Sequence, residues 1–160
     1  MIVAHDVFAE TNPGFCAHAL VAFTSAFQEI LPQGPEVPLA YLALPIALSG
    51  ELSSTFGKTN RATTLSTWMD RHPRIQVELE RRIDASLELV REGLQFACFT
   101  NALTWRGAHL LRGPVKLKKA EAREYGDGVV GAIKRAERLG YWFATVGSQR
   151  AIFNTMGLTL

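Results

Sequence analysis

Apolar residues recur along this chain at helical spacing, with one short stretch that alternates instead. Cys16, Leu20, Phe23, Phe27 and Ile30 fall three or four positions apart, which predicts a helix opening at Asn12-Pro13 and running through Leu31. Asparagine accepts from free backbone N–H groups at a helix start, and proline fits the first turn because its missing donor is not needed there. Pro32, Gly34 and Pro35 stop that helix. Pro38 opens a second, PLAYLALPIALSG, apolar almost all round and therefore destined for the interior or for the underside of a partner. Pro45 within it removes a ladder bond, so a kink or break is expected near Ala43-Leu44.

Residues 49–63 are polar and rich in loop formers. Thr64 to Arg71 reads as a short helix carrying Leu65, Trp68 and Met69, and His72-Pro73 is a junction. Pro73 opens the longest helix, to about Thr100, with Ile75, Leu79, Ile83, Leu87, Val90, Leu94 and Cys98 as its buried stripe and Glu78 spaced to pair with Arg82. Leu103-Thr104-Trp105 and Ala108-His109-Leu110-Leu111 then flank Arg106-Gly107, the pattern of a small hairpin. Two more helices follow, from about Glu121 to Thr145 and from Ser148 to Met156. The fold class is thus mainly α, a single helical domain over residues 1–160 with one β-hairpin, in an order shared with winged-helix domains.

Composition narrows the class. At 160 residues with 48% hydrophobic and 20% charged positions, this is a folding chain rather than a disordered one. Its longest apolar run, Val37 to Leu48, is short of the roughly 20 residues a bilayer needs, so no membrane association is expected. The opening MIVAHDVFAE lacks the basic start of a signal peptide, and two cysteines make no disulfide framework, so a cytoplasmic location is expected. Charge is unevenly spread: residues 1–57 hold five acids and no base, and all 17 bases lie beyond. Such a split implies either two faces with different electrostatic partners or helical surfaces that simply differ in charge.

Candidate chemistry is sparse. Phe56-Gly57-Lys58-Thr59 is similar to the end of a phosphate-binding loop, but Leu52 stands where the first glycine belongs and no strand precedes it. His5, His18, His72 and His109 lack metal-ligand spacing to one another or to a cysteine. Cys16 and Cys98 fall on apolar stripes, as core thiols do. The carboxylates between Glu78 and Glu92 are spread around a helix and balanced by arginines. We therefore expect no catalytic residue, no metal and no cofactor, and a protein that is not an enzyme.

Two features do suggest contact with other molecules. Arg106, Arg112, Lys116, Lys118, Lys119 and Arg123 face a single acid, Glu121, across the hairpin and the stretch after it. A basic wing of this kind can touch DNA phosphates or an acidic protein. The other is the apolar ending AERLGYWFATVGSQRAIFNTMG, where chains more often finish in frayed polar residues. Interfaces favour aromatic and arginine anchors, which makes Trp105, Tyr141, Trp142, Phe143 and Arg150 candidates; core packing is the alternative for each aromatic.

Several strings together resemble one family: NPGFC at Asn12–Cys16, PLAYLALPIALSG at Pro38–Gly50, TTLSTWMDRHP at Thr63–Pro73, EGLQFACFTNAL at Glu92–Leu103, and AERLGYWFATVGSQRAIFNTMGL at Ala136–Leu158. In order and spacing the chain is similar to the middle component of bacterial three-component ABC ATPase systems. The resemblance implies a small non-enzymatic adaptor that couples an ABC ATPase, related to chromosome-maintenance and repair ATPases, to a variable effector protein. It also implies a role in conflict, chiefly defence against phages and plasmids. A DNA-binding regulator using the basic segment Arg106–Arg123 is the competing reading.

Overall fold

The computed structural model describes residues 12–118 and 127–159. Helix α1, Pro13–Gln28, opens as its sequence dictates: Asn12 is extended, and its side chain accepts from the Phe15 N–H at 3.2 Å. It ends one turn early, so Ile30 is exposed rather than the last member of a buried stripe. Helix α2, Val37–Ala47, runs through Pro45 without the expected break. Pro45 sits in the last turn, where only two residues follow it, and Leu39 to Ala47 are buried apart from Tyr41. Burial on nearly every side outweighs one missing ladder bond there.

Residues 49–63 fold into two 3-10 turns, Ser53–Phe56 and Arg61–Thr63. Thr64, at a positive φ of 69°, then caps α3, Leu65–Arg71, by accepting from the Thr67 N–H. The expected long helix from Pro73 is two: α4, Arg74–Val77, and α5, Leu79–Phe99, separated at Glu78 (φ −113°, ψ 7°). The break lets Ile75 and Leu79 both face the core, while Val77 is left outside and Glu78 reaches Arg81 and Arg82.

The hairpin forms with its turn one residue later than the pattern suggested. Strands β1, Leu103–Arg106, and β2, His109–Arg112, pair antiparallel, Arg106 opposite His109, so the turn is Gly107-Ala108. Gly107 takes φ 61°, the first central position of a type II′ turn, which only glycine occupies freely. The outer edge of β2 is covered by the chain entering α2: Leu110 N–H donates to Pro35, Val37 N–H donates to Ala108, and a bridge joins Glu36 to His109.

Helix α6, Asp127–Val146, and the short α7, Gln149–Thr155, complete the described chain. The expected start of the former at Glu121 lies outside the described residues. Ser148 caps α7 by accepting from the Ala151 N–H at 3.1 Å. Helix α1 is the axis of the molecule, packing most extensively against α6 and then α5. Both contacts are made through glycine. Gly140 of α6 lies against the backbone carbonyl of Phe23, and Gly93 of α5 against Cys16, such that an added Cβ at either would collide. One continuous core joins α1, α2, α3, α5 and α6, the two β-strands and α7.

The charge split along the sequence is partly cancelled by ion pairs in the fold. Of the three acids of the first 57 residues that are described, two are neutralised by later bases: Glu29 by Arg61 at 2.9 Å and Glu51 by Arg82 at 2.6 Å. The Glu29–Arg61 pair is exposed and contributes little; Arg82 is largely covered and also donates to the Ser49 hydroxyl at 3.1 Å.

Candidate functional site

Tyr141, Trp142 and Phe143 are consecutive on α6, so at about 100° per residue they cannot all share one face. Trp142 and Phe143 are fully buried. Phe143 meets Phe23 edge-on at 5.7 Å, and Trp142 stacks on Phe56 at 5.9 Å and tilts against Trp68 at 5.5 Å. The Trp142 indole donates to the Asn60 carbonyl at 3.1 Å, and that of Trp68 to the Thr55 carbonyl at 3.1 Å, so both pin the polar loop to the core. Of the expected docking residues, Trp142 and Phe143 are thus corrected: both are buried in the core, the alternative given for each aromatic. Tyr141 is half-buried, with the Arg61 guanidinium 5.0 Å above its ring, and Arg150 is exposed on α7.

Trp105 is different. It lies on the open edge strand β1 with 54% of its surface exposed, its indole N–H satisfied by the Gly107 carbonyl at 2.8 Å, and its ring free to meet a partner. Arg106, Arg112, Lys116 and Lys118 surround it in sequence, all exposed and none ion-paired among the described residues. Lys119 and Arg123, the other two bases of the cluster, lie outside the described residues. Gln28 accepts from the Arg112 backbone N–H at 2.8 Å, and between α1 and the chain after β2 is a half-polar hollow of about 620 Å³ with Arg112 and Lys116 on its rim.

The pattern reading missed a second surface. Val37, Pro38, Tyr41 and Leu42 of α2, Ile83 and Leu87 of α5, and Phe153 of α7 enclose an apolar groove of about 320 Å³. Leu87 is 44% exposed there, although its spacing placed it in the buried stripe. Phe99, 88% exposed, and Phe96 also reach solvent; both lie off the stripe, a signal the periodicity did contain.

Polar chemistry in the interior is limited. Among the described residues no group of three His, Cys, Asp or Glu side chains is placed to hold a metal ion. His109 is held through Nδ1 by the Gly34 carbonyl at 2.9 Å. Arg135 is half-buried, and burial lowers its pKa; its Nε donates to the Ala47 carbonyl at 2.9 Å, a cation on the C-terminal end of α2. Burial pushes the Cys16 thiol up to about 12. A thiol reagent at pH 8 should therefore modify Cys98 alone in the folded protein, Cys16 reacting only after denaturation. The sign of the pH dependence follows. The unfolded chain releases this proton near 9 and the folded chain holds it to about 12, so the stabilisation is complete below pH 9 and declines above it. Urea titrations from pH 8 to 10.5 should show stability falling with pH, and Cys16→Ala should reduce the slope by up to about 1.4 kcal/mol per pH unit, while Cys98 and Tyr41, whose pKa values burial also raises, keep a residual slope of the same sign.

Fold and surface together define a helical module that presents an aromatic, basic hairpin on one element and an apolar groove on others. No helix among the described residues is long and apolar enough to cross a membrane. The chain belongs to the ABC-three component (ABC-3C) system Middle Component 3 family, whose model matches residues 3–160. Comparison with curated proteins and with solved structures gave no match in either.

Proposed function

We propose that this middle component is a cytoplasmic, non-enzymatic adaptor that couples the ABC ATPase of its system to an effector protein, in defence against phages and plasmids. Membership of a three-component family supports the existence of such partners. The observation that carries the reading is Trp105: a large aromatic, exposed on an edge strand with Arg112 on its face of the hairpin and Arg106 on the other, has the composition of an interface anchor. The mechanism is contact rather than chemistry. Affinity that differs between nucleotide states of the ATPase biases the effector, because a ligand shifts an equilibrium only by its differential affinity for the two states.

A second reading is favoured by one specific observation, the absence of any acid from Asn101 to Lys118 around four exposed bases. This is a hairpin able to lie on nucleic-acid phosphates in the manner of a winged helix. Co-expression with the ATPase and effector subunits of its system separates the two. Retention of both subunits after nuclease treatment, lost in Trp105→Ala/Arg106→Glu by about tenfold or more in Kd, supports the adaptor. Sequence-selective DNA binding by the purified chain in gel shifts at varied salt, with neither subunit retained, supports the regulator.

A further inference from the structure

The geometry points to the groove between α2, α5 and α7 as the seat of an amphipathic helix, carrying aliphatic or aromatic anchors and flanked by Lys or Arg, from one of the two partner subunits. The inference rests on the adaptor reading and deepens it by naming the partner's chemistry. Three observations carry it. The first is shape and lining: a hollow of about 320 Å³ walled by aliphatic and aromatic side chains, at the low end of the range in which specific pockets fall. The second is Leu87. Its position at i+4 from Ile83 and i+8 from Leu79 is that of a core residue, yet 44% of its surface is outside, so α5 carries apolar surface that the described chain leaves open. Helix-in-groove recognition uses sites of this construction.

The third observation is charge, and it selects the occupant. On α5 the ridge next to Leu79, Ile83 and Leu87 is Glu80, Asp84 and Glu88, all three exposed. The groove is also bordered by a base, Arg91, whose charge acts on Tyr41, but Glu88 pairs with it at 2.7 Å; Glu80 and Asp84 have no ion pair among the described residues, which leaves the acids in excess. Glu36 stands just before Val37 at the start of α2 and likewise has none. An apolar trough with free carboxylates on two of its borders attracts a basic amphipathic helix and repels an acidic one.

The test places p-benzoylphenylalanine at Leu87 in the full chain, co-expressed with the ATPase and effector subunits of its system and irradiated. The expected result is a cross-link to one subunit, mapped by mass spectrometry to a helical segment with apolar anchors and adjacent Lys or Arg. In the same complex, Leu87→Glu should weaken retention of that subunit tenfold or more. Glu80→Lys/Asp84→Lys should weaken it severalfold at low salt and progressively less as salt rises. Each variant's Tm is measured alongside, and the charge pair, being exposed, separates docking from folding. If the ternary complex forms but Leu87 cross-links only to Met1–Thr11, to a second copy of the chain, or to nothing, the groove assignment is overturned while the adaptor reading stands. If neither subunit is retained by the unmodified chain, the adaptor reading falls and this one with it.

Discussion

Trp142→Ala is expected to lower unfolding free energy by about 3–5 kcal/mol, a large share of the roughly 5–15 kcal/mol that holds a domain of this kind together. The ring is wholly buried between Phe56 and Trp68, and its N–H holds the Asn60 carbonyl, so truncation removes packing and releases the loop from the core in one step. Urea or thermal denaturation reads the loss directly. Trp142→Phe keeps most of the packing and loses only the donor, so it should fall well short of the alanine variant. The prediction also separates core from interface. A Trp142→Ala protein that melts normally yet no longer retains a partner subunit would overturn the packing account of this residue.

Gly140→Ala should destabilise, where the same change on an open helix stabilises by about 1 kcal/mol. A Cβ at 140 would run into the Phe23 carbonyl oxygen and lie 3.2 Å from the Ala26 Cβ, both on the helix that forms the axis of the fold. Neither obstacle is a flexible side-chain tip, so the helices themselves must part. Overpacking of this sort costs about 1–3 kcal/mol, and Gly140→Val should cost more. For a chain of 160 residues, Tm should fall by about 2–4 °C for each kcal/mol lost. Gly50→Ala is the matched control: no atom lies within 4 Å of its added Cβ, and its backbone is not left-handed. It should be neutral or raise stability by up to about 1 kcal/mol.

Where local chemistry decides structure, the sequence was easy to read. Asn12-Pro13, Thr64 and Ser148 cap helices where their side chains permit, and a hairpin forms around Gly107, although its turn lies one residue later than the apolar pattern suggested. What could not be read was whatever depends on which helices meet. Leu87 and Val90 are spaced alike relative to the rest of their stripe, yet one is open and the other buried, because only tertiary packing decides how far α2 extends over α5. Pro45 signals a break that burial overrides, and Glu78 interrupts a pattern that runs smoothly through it. The candidate anchors divide for the same reason. Trp105 and Trp142 look equally conspicuous in a string of letters, but one lies on an edge strand and the other on the inner face of a helix. Periodicity places Trp142 on a face; it does not say whether this chain or another supplies the cover.

The paired glycine crossings of α1 have a mechanical consequence. At Gly140 no side-chain layer separates α6 from the Phe23 carbonyl of α1, and at Gly93 the Cys16 side chain of α1 takes the place a Cβ would fill, so α5 and α6 both cross α1 closely. Close-packed interiors transmit displacement rather than absorbing it. A push delivered to α5 is thus carried through the central rod to α6, whose Trp142 and Arg138 grip the loop at Asn60 and Thr59. The two close crossings thus tie α5 and the loop at Asn60 and Thr59 to the same central helix.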